Sequence, residues 1–290
     1  MNSQVKSVRS NLLALGAIGL WSSLASLGVA LNHVPPFLLT GLSLLIGGLI
    51  ALPLSGFRVS RWRVPLPTLA LGVYGLFGYH FLLFLALRDA PPVQANLVNY
   101  LWPLLIVVLA PVFLPGLTLR WQHVVAALIG FAGAAMVILS NTNSGAADSG
   151  GVGWSWGYPA ALAAAFIWSS YSLLTRRVSA FPTAAIGSFA WVSGLLALLC
   201  HVLMEPAVSL STRDWVLIGM MGLGPLGGAF FLWDKALKTG DARHIGILSY
   251  LTPLLSTSML LWLSGRALTW PVALAGVMIV GAAWMGTRAR

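Results

Sequence analysis

The sequence predicts an all-α integral membrane protein of ten transmembrane helices, built as two inverted five-helix repeats. Three observations carry that reading. Hydrophobic residues make up 58% of the 290 and charged residues only 8%, with a mean hydropathy of +0.89. Most windows of about 20 residues therefore lack a charge, which a soluble domain of this size would not tolerate on its surface. The chain also echoes itself: Trp21-Ser22-Ser23 recurs as Trp168-Ser169-Ser170, 147 residues on, and Tyr100-Leu101-Trp102-Pro103 recurs as Tyr250-Leu251-Thr252-Pro253, 150 residues on. A third echo closes each unit, Gly133-Ala134-Ala135-Met136 against Gly281-Ala282-Ala283-Trp284. Three matches in one order at nearly one offset mark an internal duplication. The third observation is the placement of charge.

Taken in order, the predicted spans are residues 12–31, 36–55, 66–87, 91–114, 121–140, 153–175, 183–204, 215–237, 242–263 and 270–287. Charges punctuate them: Arg58, Arg61 and Arg63 follow the second, Arg88 and Asp89 the third, Arg120 precedes the fifth, Arg176 and Arg177 follow the sixth, and Lys238 and Asp241 separate the eighth from the ninth. The longest gap, 141–152, is rich in Ser, Gly and Ala and reads as a flexible link between a first repeat (1–140) and a second (153–290). With the N-terminus inside, 13 of the 16 basic residues fall on cytoplasmic segments and only Arg88, Arg213 and Arg266 outside; the net charge is +11 inside and −1 outside. The positive-inside rule thus accounts for the formal +10, which leaves no need for a nucleic-acid partner. Both termini are predicted cytoplasmic. Five spans per half is an odd number, so the second half is inverted relative to the first. The first span, preceded by Lys6 and Arg9, has the look of a cleaved signal peptide, but Trp21-Ser22-Ser23 belongs to the repeat and keeps it in the mature protein. Cys200 is the single cysteine and is read as a small packed side chain.

Depth can be counted at about 1.5 Å per residue through a core of about 30 Å. Trp62, Trp121, Trp154, Trp156, Trp215 and Trp270 fall at span ends and read as aromatic belts. Tyr100, nine residues after Pro91, and Tyr250, nine after Asp241, bracket the midplane from opposite sides. Asn96, Asn99, Tyr100 and Pro103 form a polar stripe that faces protein or water; the bland alternative is that the two asparagines only tie helices together. Tyr79 and His80 lie level with Tyr100, and Trp21, Trp102 and Trp168 complete an aromatic set. Pro103 and Pro253 each remove a backbone hydrogen bond near mid-membrane and are expected to kink their helices, as hinges or as plain packing bends. Small residues Gly16, Gly19, Ser23 and Ser26 on the first span suit close helix contact.

The predicted core is also defined by what it omits. No Asp or Glu lies deep in a span, since Asp234 sits in a last turn with Lys238 as its partner at the pairing distance. Facilitated diffusion or exchange is therefore expected rather than proton coupling, with His80 the one proton acceptor at depth. No Lys or Arg lies at mid-depth, which disfavours phosphorylated substrates. No metal ligands, paired carboxylates or activated nucleophile point to an enzyme or a cofactor.

Ten spans in inverted repeats, a Trp-Ser in the first helix of each half and a proline in the fourth helix of each half resemble the drug/metabolite transporter superfamily, in its EamA-type branch. Asn99-Tyr100-Leu101-Trp102-Pro103 with Asn96 is similar to the YddG-type aromatic amino acid exporters of bacterial inner membranes. The resemblance implies a basket in which helices one, three, four, six, eight and nine surround a cavity, and export of amino acids. It departs from the family at Gly265-Arg266 and Gly116-Leu117, where many relatives have Gly-Glu. The expected function is a multi-pass inner-membrane exporter of neutral, aromatic or bulky amino acids working by alternating access. Trp21, Tyr79, His80, Asn96, Asn99, Tyr100, Trp102, Trp168 and Tyr250 are its expected binding residues; its partners are the small-molecule substrate and membrane lipid, and the oligomeric state is left open, with a monomer one option. A facilitator of planar organic cations is the alternative.

Overall fold

A computed structural model describes residues 3–140, 155–263, 265 and 269–288; the expected link, 141–152, lies outside them. Every long element among the described residues is helical. They are α1 (Val8–Ala30), α2 (Pro36–Leu54), α3 (Leu66–Asp89), α4 (Pro92–Phe113), α5 (Trp121–Ser140), α6 (Gly157–Leu174), α7 (Thr183–Met204), α8 (Thr212–Thr239), α9 (Ala242–Leu263) and α10 (Trp270–Arg288). Eight of them, all but α6 and α10, are long and apolar enough to cross a membrane. The apolar run of α10, Trp270–Gly286, is shorter; α6 dilutes its apolar residues with the row Trp168 to Ser172. α1 is the membrane-crossing stretch of a helix that already begins at Ser3, ahead of the predicted span start at residue 12, because hydropathy marks the membrane-crossing part of a helix and not its ends.

Packing runs mainly between the first five helices and the last five. α1 packs on α8 and α9, α6 on α3 and α4, α2 on α7 and α8, α3 on α7, α4 on α9, and α5 on α10. Exchanging each helix for the one five places along maps this set onto itself. Small residues permit the closest approaches: a Cβ on Gly47 would lie 2.6 Å from the Gly222 carbonyl oxygen and 2.7 Å from Gly227 Cα, so α2 and α8 meet backbone to backbone.

Two kinds of interruption position the site. α3 passes through a π-helical turn at Tyr74–Gly78 and α8 through another at Gly224–Gly228. α4 divides into α4a (Pro92–Asn99) and α4b (Trp102–Phe113), and α9 into α9a (Ala242–Leu248) and α9b (Leu251–Leu263). The two π turns lie 150 residues apart; the helices break at Tyr100-Leu101 and at Ser249-Tyr250, one residue short of the same offset. The sequence predicts continuous helices bent at Pro103 and Pro253. The structure instead stops each helix before its proline and restarts it with the proline in the first turn, where the missing N–H has no acceptor to lose.

Candidate functional site

The breaks open onto a central cavity of about 610 Å³, within the ~300–1,000 Å³ usual for small-molecule sites. Its walls come from α1, α2, α3, α4a, α8 and α9b, with Trp168 of α6 and Ile138 of α5. These lining residues share one half of the bundle, the half that carries the α3–α4 turn. The expected ring of helices is therefore present, and α2 joins it through Leu39 and Thr40.

Eight of the nine expected side chains meet here: Trp21, Tyr79, His80, Asn96, Asn99, Tyr100, Trp102 and Trp168 all line the cavity, as does Pro253. The π turn just before Tyr79 adds a residue to the helical period and turns Tyr79 and His80 inward together. His80 Nδ1 lies 2.6 Å from the Leu76 carbonyl oxygen; that nitrogen donates, and Nε2 is left as an acceptor. Asn99 Nδ2 donates to the Tyr79 hydroxyl at 3.1 Å, so the asparagine does tie α4 to α3, yet its Oδ1 is buried without a partner.

Tyr250 is the exception. It is fully buried in a separate cluster with Ala134 and Ile279, with its ring against Gly130, where a Cβ would come within 2.5 Å of Tyr250 Cδ2. Its hydroxyl approaches the backbone of Leu104 without reaching good hydrogen-bond geometry. Counting along a helix gives depth but not which side of the break a residue faces, which is why the sequence predicts that Tyr250 shares the site with Tyr100 across the midplane. Pro103, too, lies outside the lining and packs beneath it, its carbonyl oxygen 3.1 Å from where a Cβ of Gly246 would be.

The floor is aromatic. Trp21 stands edge-on to Trp168 at 5.7 Å and to Trp102 at 6.3 Å, and Trp168 meets Phe230 at 5.7 Å and Tyr79 at 5.4 Å. Beneath them Trp233, 1% exposed, packs 5.1 Å from Trp21 and donates its Nε1–H to Ser172 Oγ at 3.1 Å. Trp233, Phe230 and the hydroxyls of Thr252, Ser256 and Thr257 escape the sequence reading. Trp233, four residues from the end of the predicted eighth span and next to Asp234, reads like a belt tryptophan and gives no signal; single hydroxyls in an apolar helix give none either, since they can bond to their own backbone.

Polar contacts close the bundle below the floor. Lys238 Nζ pairs with Asp234 Oδ2 at 2.7 Å, Thr183 Oγ1 donates to the same oxygen at 2.8 Å, and Lys238 also reaches the Phe181 carbonyl at 3.0 Å. Arg176 donates to the Gly240 carbonyl at 3.2 Å, and Arg243 to that of Thr118. This structure is thus open above the floor and shut below it. Among the described residues no three or more His, Cys, Asp or Glu side chains come together to suit a metal.

Comparison with known proteins agrees with this architecture. A crystal structure superposes with a TM-score of 0.87 over 97% of this chain and 98% of the other, at 41% identity. The chain is 42% identical over 285 residues, 96% of each sequence, to the aromatic amino acid exporter YddG of Ancylobacter novellus. It is 27% identical to that of Salmonella typhimurium, covering 98% of this chain and 99% of the relative, and 26% identical to that of Escherichia coli, covering 97% and 98%. The EamA-like transporter family model matches twice, at residues 9–139 and 155–287. The chain is a member of the EamA-like transporter family.

Proposed function

We propose that this protein exports neutral amino acids, aromatic or bulky ones above all, across a bacterial inner membrane by alternating access. The observation that carries the reading is the cavity. Its floor is built of Trp21, Trp102 and Trp168 and its wall of Tyr79 and Tyr100, while among the described lining residues there is no Lys, Arg, Asp or Glu. Such a surface gains from stacking an aromatic ring and offers no fixed charge to select an ion. The relatives named for aromatic amino acid export support the same substrate class. The planar-cation reading has less behind it, because no lining carboxylate opposes a positive charge.

In this reading all ten helices span the membrane, α6 and α10 included, both termini are cytoplasmic, and the cavity faces the periplasm. Matched π turns, matched helix breaks and a pairing scheme that survives exchange of the halves support an inverted repeat. Trp21, Tyr79, His80, Asn96, Asn99, Tyr100, Trp102 and Trp168 bind substrate, and Pro103 and Pro253 mark the hinges. The test is uptake of labelled amino acids by proteoliposomes containing only this protein, across aromatic, aliphatic and charged members. Aromatic substrates should enter fastest, run down their own gradient and continue when a protonophore removes any pH gradient. Accumulation many-fold above equilibrium under an imposed proton gradient would overturn the uncoupled mechanism.

A further inference from the structure

We propose that the cavity floor holds the substrate's carboxylate without a cationic side chain, through the open N-terminus of α4b and the hydroxyl of Thr252. The assignment rests on the reading of the substrate as an amino acid.

A carboxylate taken into an apolar cavity needs donors, and no Lys or Arg among the described residues lines this one. Two kinds of donor are present. The first is the 12-residue helix α4b, whose N-cap is Leu101 and which no side chain caps. On α4 the lining ends at Trp102, so α4b leaves the floor with its N-terminal end facing the cavity. In this first turn Pro103 has no N–H and the Leu104 backbone faces the Tyr250 hydroxyl, which leaves the Trp102 N–H without an acceptor in its helix, at the end where the helix dipole places about half a positive charge. The second is Thr252, at the start of α9b. It lines the cavity, is 7% exposed, and its Oγ1 has no hydrogen-bond partner. The two donors belong to neighbouring turns: Gly246 of α9a packs on the Pro103 carbonyl, and the Tyr250 hydroxyl approaches the Leu104 backbone.

The rest of an amino acid finds its match in the same floor. An ammonium group needs acceptors, and Asn99 Oδ1, also buried and unpaired, and His80 Nε2 are acceptors. Donors at the α4b terminus and Thr252, acceptors at Asn99 and His80, and tryptophans between them read a zwitterion with an aromatic side chain.

Equilibrium binding to the purified protein separates the parts, using L-phenylalanine, 3-phenylpropionate (carboxylate only) and phenethylamine (ammonium only). Thr252→Val keeps the shape and removes the hydroxyl; it should weaken L-phenylalanine and 3-phenylpropionate by about tenfold or more, the usual loss of one hydrogen bond to a charged group, and leave phenethylamine within about twofold. Thr252→Ser should stay near wild type for all three. Equal losses for the three probes, or no loss for any, would overturn the assignment. The wild type alone is decisive where the valine variant does not fold: it should prefer 3-phenylpropionate to its uncharged methyl ester, and equal affinity would overturn the subsite. Binding of 3-phenylpropionate through Thr252 with no binding of L-phenylalanine would keep the subsite and sink the amino acid reading.

Discussion

The two broken helices share their interruption and differ in which segment meets the cavity. α4 lines it with Pro92, Val93, Asn96, Asn99, Tyr100 and Trp102, all at or before the restart; α9 lines it with Thr252, Pro253, Ser256, Thr257 and Leu260, all after it. At an offset of 150, Trp102 and Thr252 are equivalent, and both face the cavity. Elsewhere the roles are opposite. Ile106, Val107 and Ala110, equivalents of Ser256, Thr257 and Leu260, are 0% exposed, and Ala242, Gly246, Ser249 and Tyr250, equivalents of Pro92, Asn96, Asn99 and Tyr100, are buried. A duplicated chain held in one conformation is therefore asymmetric, with α4a and α9b on the open side of the floor and α4b and α9a on the sealed side. A motion that exchanged the halves would exchange these roles while Trp21 and Trp168, repeat-related and 5.7 Å apart, stayed at the centre.

The largest effect should come from wedging the sealed side. Gly130 has no room for a side chain beside Tyr250, whereas a Cβ on Gly281 would meet nothing within 4 Å. Gly130→Val should destabilise by about 1–3 kcal/mol through overpacking and lower the melting temperature in detergent, and Gly281→Val should not. A Gly130→Val protein that melts like the wild type would mean that Tyr250 is not held in a rigid seal.

Next come the two tyrosines. Tyr100→Ala should weaken transport of tryptophan by roughly 2- to 10-fold, the worth of one aromatic contact, and spare alanine-sized substrates. Tyr250→Ala should lower the folded yield and affect all substrates alike. Size-selective loss at Tyr250 rather than Tyr100 would reverse the assignment of open and sealed sides. Trp191, which packs on Gly48 away from the cavity, serves as a control.

The smallest effect concerns the entry to α9a. Asp241 caps it, with Oδ1 accepting from the Arg243 backbone at 2.9 Å and Oδ2 from Arg243 Nη2 at 2.6 Å; the equivalent residue on α4 is Pro91, without a charge. Burial pushes the Asp241 carboxyl up, but the hydrogen bonds and charge of Arg243 outweigh it and hold the group below the usual carboxylate range. A folded value below the unfolded one stabilises above the ordinary carboxylate range and loses that stabilisation as pH falls through the folded value. Asp241→Asn should therefore lower the melting temperature slightly at pH 7, and the difference from wild type should vanish in strong acid. A difference that grows in acid would contradict the cap.

Much of this can be read from the residues because membranes make depth countable. Trp21 and Trp168 are found by their repeat, Tyr79, His80 and Tyr100 by level, and Asn96 and Asn99 by a polar stripe that lipid would not accept. The π turns cannot be read that way, since Gly72, Gly75 and Gly78 look like packing glycines and no side-chain pattern marks an inserted residue. Nor can the assignment of Tyr250 to the sealed side, because counting from the start of its own span puts each tyrosine nine residues in, and only the folded conformation separates them.

The central claim, that repeat-related segments exchange open and sealed roles during transport, is tested most directly by thiol accessibility at one equivalent pair. Ser256 lies on the open side and Ile106 on the sealed side, and each is replaced by cysteine in a separate variant. An impermeant thiol reagent applied from the periplasmic face should modify the Ser256→Cys protein and not the Ile106→Cys protein. The same reagent applied from the cytoplasmic face during substrate exchange should modify Ile106→Cys and not Ser256→Cys. Modification of Ile106→Cys from the periplasmic face, or its protection from both faces throughout transport, would contradict the account.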